Sequence, residues 1–179
     1  MINIDNSDLI EALKKCGAVK FGEFTLASGK KSNYYVDIKK ASTDPETLKI
    51  IAEKAAKLIA DMDEGIVGGV ELGGVPIATA VSLETKLPLI IVRKSTKEYG
   101  TKGKLVGEIR ENTGIIMLED VTTSGGSVKD AILSVREEGG SITKVITVVD
   151  RESGAKENLK EIGVELIPLV SAGELLKNN

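Results

Sequence analysis

The chain has 179 residues, 41% of them hydrophobic and 28% charged, with a formal net charge of −3. This balance suits one ordinary globular domain and excludes a disordered chain, a membrane bundle and the strongly basic face that nucleic acid demands. Histidine is absent and Cys16 is the single cysteine, so Ser-His-Asp and Cys-His catalysis, His-based zinc sites and an intramolecular disulfide all fall away.

No apolar stretch approaches the roughly 18 residues of a membrane span, and the N-terminus lacks a basic stretch followed by an apolar run. A cytoplasmic protein with no membrane partner is expected. Ser7 is expected to cap a first helix whose apolar residues Leu9, Ile10, Leu13 and Cys16 share one face, with Gly17 closing it. Residues 21–38 then mix aromatic, glycine and alternating apolar positions around Ser28-Gly29-Lys30-Lys31, which reads as two strands and a turn. Asp44 caps the next helix and Pro45 takes its first position. Leu48, Ile51, Ala52, Ala55, Leu58 and Ile59 follow at helical spacing, to about Asp61.

From there short apolar runs alternate with helices: strands at 66–70, 89–92, 115–118 and 145–149, helices at 75–84 and 128–137. Runs that are apolar throughout indicate strands buried on both faces, hence an α/β fold with an open parallel sheet and helices on both sides. Residues 93–112 break this rhythm with Gly100, Gly103 and Gly107 and no periodicity. Long irregular loops of this kind are commonly functional lids, and this one also has room for a hairpin.

The chemistry concentrates in Gly114-Ile115-Ile116-Met117-Leu118-Glu119-Asp120-Val121-Thr122-Thr123-Ser124-Gly125-Gly126-Ser127. A buried strand leads to two carboxylates, and a hydroxyl- and glycine-rich turn then opens a helix. Backbone N–H groups and hydroxyls of residues 122–127 can cradle a phosphate at the helix N-terminus. The carboxylates would repel that phosphate, so they face ribose hydroxyls, a Mg²⁺ bridged through water or a developing positive charge. The plain alternative is a solvated strand end and an ordinary capped loop.

This segment resembles the 5-phosphoribosyl 1-pyrophosphate (PRPP) motif of the type I phosphoribosyltransferases. That resemblance implies the type I phosphoribosyltransferase fold, with the 5-phosphate on Val121, Thr122, Thr123, Ser124, Gly125, Gly126 and Ser127 and the ribose hydroxyls on Glu119 and Asp120. Glu119 stands where many members have aspartate.

Three further segments resemble the orotate phosphoribosyltransferases within that family. Residues 93–104 hold five cations against one acid, and their Arg-Lys-x-x-Lys-x-x-Gly order is similar to the family's lid, which covers the active site of a dimer partner. The resemblance implies pyrophosphate binding by Arg93, Lys94 and Lys97, with Lys97 catalytic alongside Glu119 and Asp120. Tyr99 replaces the common lid histidine and offers a hydrogen bond but no imidazolium. Phe24-Thr25-Leu26-Ala27-Ser28-Gly29 with Tyr34 and Tyr35 resembles the N-terminal hood, and an aromatic pair beside lysines suits a planar, anionic pyrimidine. Ala27 stands where many members carry a lysine.

Arg151 follows the strand at 145–150, and Asp150-Arg151-Glu152-Ser153-Gly154 resembles the segment whose arginine, with the second threonine of the phosphate loop, here Thr123, contacts orotate. Ion pairing with Asp150 or Glu152 is its competing role. Gly73 and Gly74, in Glu71-Leu72-Gly73-Gly74-Val75-Pro76, can aim N–H groups at pyrophosphate or simply make a tight turn. Many orotate enzymes have lysine at Gly73.

The resemblance thus implies a single domain over 1–179. Its parts are a hood at 1–40, a core at 41–150 with the lid at 93–112, and a C-terminal segment at 151–179 that joins the hood. It implies Mg²⁺-dependent transfer of the phosphoribosyl group from PRPP to orotate in pyrimidine (UMP) biosynthesis, the metal held mainly by PRPP and water, by a homodimer. A phosphoribosyltransferase for a purine or uracil, and a PRPP-sensing regulator without turnover, are the alternatives.

Overall fold

A computed structural model describes residues 6–25, 31–94, 104–109 and 113–177. The first helix, α1 (Ser7–Lys15), buries Leu9, Ile10 and Leu13. Ser7 is its first helical residue, not its cap. Asn6 takes the cap position without a side-chain capping bond, its amide donating instead to Leu169 O. Gly17 follows the helix with φ +74°, the left-handed conformation that glycine adopts without cost. Strands β1 (Val19–Thr25) and β2 (Lys31–Val36) pair antiparallel as a separate two-stranded sheet, as the aromatic alternation predicts.

A one-turn helix, α2 (Ile38–Ser42), leads into α3 (Pro45–Ile59). The Asp44 carboxylate accepts the Thr47 N–H at 2.8 Å, confirming Asp44 as the cap. Ile51, Ala52, Ala55 and Ile59 then turn one stripe to the core.

The main sheet comprises β3 (Ile66–Val70), β4 (Leu89–Val92), β5 (Leu105–Val106), β6 (Gly114–Thr122), β7 (Ser141–Asp150) and β8 (Glu165–Ser171). Its spatial order is β5-β4-β3-β6-β7-β8. All neighbours run parallel except β4 and β5, which pair antiparallel, with Arg93 N–H donating to Lys104 O at 2.7 Å. Helix α4 (Gly74–Thr85) joins β3 to β4, and α5 (Gly126–Glu137) joins β6 to β7. Alternation along the strands sends Val67, Ile116 and Leu118 into one apolar cluster with α1, α3 and α4, and Ile66, Ile115 and Met117 into a second with α5. Both faces are therefore covered, as the unbroken apolar runs predict.

The C-terminal segment carries a strand that the sequence pattern does not announce. Between α6 (Ala155–Lys160) and α7 (Ala172–Lys177), β8 completes the main sheet beside β7. Pro168 obscures it in the sequence, because proline gives up a ladder donor, but an edge strand tolerates that loss. Leu169 and Val170 of β8 and Leu175 of α7 share the cluster of Leu9 and Leu13, so the segment packs against the N-terminal elements as well.

Candidate functional site

The connection β3-α4-β4 builds outward in one direction and β6-α5-β7 in the other, so strand order reverses between β3 and β6. In open α/β sheets ligands bind outside the carboxyl ends of the strands at that reversal. Here the pairing of β3 with β6 stops at Gly69 against Leu118, whereas β6 continues beside β7 to Thr122 against Asp150. The two acids thus lie inside a longer strand than the apolar run suggests. Residues 119–122 keep one edge free and facing the crevice.

Glu119 is buried, 7% exposed, and Asp120 half-buried. Glu119 Oε1 accepts the N–H of Asp120 at 3.1 Å, and Asp120 Oδ1 accepts the N–H of Val121 at 2.8 Å. Burial pushes the Glu119 carboxyl up to about 8, helped by the side-chain interaction with Asp120 and its negative charge, while the Asp120 N–H and Lys94 pull the other way. A carboxyl buried in a crevice and held well above its usual range is the kind of group that functional sites collect.

The turn after β6 forms a hollow of about 140 Å³ lined by residues 121–128 with Glu119. Thr123, Ser124, Gly126 and Ser127 are exposed there. Gly125, at φ +76°, lets the chain reverse into α5. Thr122 differs from the expectation that counts its hydroxyl among the phosphate contacts. It is buried and donates to Asp150 Oδ1 at 2.9 Å, so only its backbone borders the hollow.

Gly73 and Gly74 are placed for close approach. A Cβ at Gly73 would collide with Asp120 Oδ2, and one at Gly74 would lie 2.5 Å from Leu118 O. Position 73 is therefore closed to the lysine that many orotate enzymes carry, unless Asp120 moves. The Glu71–Leu72 peptide before it is cis, and Glu71 accepts the Lys94 N–H at 3.1 Å. Arg93 and Lys94 stand at the end of β4, and Arg93 Nη1 is buried without a hydrogen-bond partner. Lys97, Tyr99 and Ala27 lie outside the described residues.

Arg151 reaches the same sheet edge. Its N–H donates to Thr122 O at 2.9 Å, and its guanidinium lies 5.5 Å from the centre of the Tyr34 ring. No ion pair joins it to Asp150 or Glu152 among the described residues. Tyr35, next along the strand, packs on Phe24 with ring centres 5.7 Å apart. Strand alternation separates the two tyrosines, so Tyr34 rather than the aromatic pair meets Arg151.

Two side chains escaped the sequence reading. Lys39, on α2, lies 4.0 Å from Asp120 Oδ2 and 3.5 Å from Asp37. Asp150 receives both the Thr122 hydroxyl and, at 3.2 Å, the Glu152 N–H. The only sequence signal for Lys39 is its place three residues beyond the aromatic strand, in Asp37-Ile38-Lys39.

Comparison with known proteins agrees with this geometry. Residues 40–167 match the phosphoribosyl transferase domain. The orotate phosphoribosyltransferase of Methanosarcina mazei is 69% identical over 170 residues, 95% of this chain and 91% of that one. The crystal structure of orotate phosphoribosyltransferase from Aeropyrum pernix superposes with a TM-score of 0.83, with 30% identity over 95% of this chain and 97% of that one. The Mycobacterium tuberculosis orotate phosphoribosyltransferase in complex with PRPP gives a TM-score of 0.79 and 29% identity over 96% and 99%.

Proposed function

The chain belongs to the phosphoribosyltransferase family and, within it, to the orotate enzymes, and on that premise we propose that Mg²⁺-bound PRPP and orotate react here to give orotidine 5'-monophosphate and pyrophosphate. The observation that carries the reading is the half-open end of β6. It sets Glu119 and Asp120 beside the hydroxyl-rich hollow on one side and the Arg151–Tyr34 pair on the other.

The 5-phosphate sits on the loop of residues 121–127, taking backbone N–H groups and the hydroxyls of Thr123, Ser124 and Ser127. The ribose hydroxyls meet Glu119 and Asp120. Orotate lies between Tyr34, Thr123 and Arg151, whose guanidinium grips the orotate carboxylate bidentately, with Tyr35 in the hood beyond. Pyrophosphate faces Gly73, Gly74, Arg93 and Lys94, and Lys97 and Tyr99 join it from the lid. In a homodimer each lid closes over the neighbouring site.

The step is positioning and charge stabilisation without a protein nucleophile. Pyrophosphate leaves C1 of the ribose, positive charge develops on the ring, and a ring nitrogen of orotate captures C1. Glu119, neutral near pH 7, can donate a hydrogen bond to a ribose oxygen, while the Asp120 carboxylate favours the developing positive ring.

Among the described residues no group of three or more His, Cys, Asp or Glu is placed to hold a metal ion. A pair of carboxylates fits a magnesium ion that keeps its waters and the phosphates of the substrate, and that ion would neutralise the departing pyrophosphate. The role in UMP synthesis, in the cytoplasm, follows from the same reading. No helix among the described residues is long and apolar enough to cross a membrane.

The deciding assay follows loss of orotate absorbance with PRPP, with and without Mg²⁺, beside adenine, hypoxanthine and uracil. Turnover of orotate alone, abolished by chelation, is expected. Turnover of another base, or PRPP binding without pyrophosphate release, overturns the reading. Asp120→Asn should depress kcat, and an unchanged rate removes Asp120 from the step.

A further inference from the structure

Asp120 Oδ2 is flanked from two sides. On one, the backbone of Gly73 lies so close that a side chain there would displace the carboxylate, and glycine leaves the entrance of α4 without a cation. On the other stands Lys39 Nζ, at 4.0 Å from that same oxygen, and among the described residues no other cation pairs with Asp120. Asp37 lies 3.5 Å from the same ammonium, and its Oδ1 is buried without a hydrogen-bond partner.

Both separations exceed the range of about 2.7–3.2 Å of an N–H···O hydrogen bond. The Lys39 ammonium is therefore drawn to the two carboxylates by charge without giving either a full hydrogen bond. An ammonium carries three donors on a flexible stem, and this side chain is 63% exposed, free to swing. The crevice it borders holds two acids that by themselves repel an anion.

We propose that Lys39 is a further positioning residue of this site. It rests loosely between Asp37 and Asp120 in the free protein, and on substrate binding it donates to an oxygen of the pyrophosphate group of PRPP. It thereby supplies from the hood the positive charge that Gly73 does not carry. Asp37 holds the resting ammonium beside Asp120, and Asp120 is released to the ribose as its cation leaves. The inference rests on the phosphoribosyl-transfer reading and deepens it. It makes Lys39 a determinant of selectivity for a ribose that bears a diphosphate at C1.

The test compares Lys39→Met, Lys39→Arg and, as a control on the same helix, Lys40→Met. KM for PRPP, KM for orotate and kcat are measured at saturating Mg²⁺, with calorimetric binding of magnesium pyrophosphate alongside. Loss of one charge-assisted hydrogen bond corresponds to about a tenfold change in affinity. Lys39→Met should raise KM for PRPP and weaken pyrophosphate binding by about that factor while leaving KM for orotate within about twofold. Lys39→Arg should recover most of the loss, and Lys40→Met should match the native chain. Unchanged pyrophosphate binding in Lys39→Met, equal rises in both KM values, or the same loss in Lys40→Met overturns the assignment. Should the native chain itself fail to turn over orotate, the transfer reading falls, and the calorimetry still decides whether Lys39 meets pyrophosphate.

Discussion

The Thr122 hydroxyl donates to Asp150 Oδ1 across the ends of β6 and β7, in a buried contact of 2.9 Å. Arg151 N–H returns a bond to Thr122 O, so the two strand ends are tied twice just where the turn after β6 and the segment after β7 diverge. Thr122→Val removes the donor from a buried acceptor, leaving Asp150 only the Glu152 N–H at 3.2 Å. A loss of about 1–3 kcal/mol in unfolding free energy is expected, with a raised KM for orotate as Arg151 loosens. Chemical denaturation of the two chains measures the first. An unchanged midpoint would show the pair to be dispensable.

Glu119 is the group whose ionisation folding alters most clearly. Its carboxyl rises from an ordinary 4.5 to about 8, chiefly through burial and then through Asp120. Between those values the folded chain holds a proton that the unfolded chain has lost, so stability falls as pH climbs through the window. Below it both states are protonated and the difference vanishes. Glu119→Gln keeps the shape without the titration. Its melting temperature relative to the native chain should therefore rise steadily between about pH 5 and pH 8, and a flat difference would sink the assignment.

Tyr34 presents its ring to the Arg151 guanidinium at 5.5 Å. A cation over an aromatic face is worth about 0.5–2 kcal/mol depending on solvation, and the ring also orients the arginine toward a planar base. Tyr34→Ala should raise KM for orotate about tenfold and leave KM for PRPP alone, while Tyr34→Phe should stay within about twofold. Equal effects of the two variants would transfer the role from the ring face to the hydroxyl.

Gly125 turns the phosphate loop into α5 at φ +76°. An alanine there meets a backbone conformation that costs roughly 1–2 kcal/mol for an L-residue, and its Cβ would press on Ala155 Cβ at 3.3 Å. Either the helix start shifts or the loop's N–H groups turn away. Gly125→Ala should lower stability by that amount and raise KM for PRPP without changing KM for orotate. Steady-state kinetics with each substrate varied in turn provides the check.

Much of the architecture is written locally. Asp44-Pro45 announces α3 by the cap it forms, and the runs at 66–70 and 89–92 coincide with β3 and β4 because strands covered on both faces need no polar alternation. The phosphate turn is equally plain, since its glycine and hydroxyls act through their own backbone. By contrast, β8 is hidden by Pro168, and the length of β6 depends on partners that no local pattern names.

What the amino-acid order determines by itself is therefore the helix starts, the buried strands and the acid-rich strand end leading into a phosphate turn. Each of these arises between residues a few positions apart. The tertiary structure alone decides that β6 loses its neighbour after Leu118 and that Thr122 is spent on Asp150. It likewise turns Tyr34, not Tyr35, to Arg151 and brings Lys39 to Asp120 beside a glycine whose Cβ would collide with that carboxylate. These are contacts across 28 to 117 positions of chain, set by strand order and by which face of a strand each side chain happens to occupy.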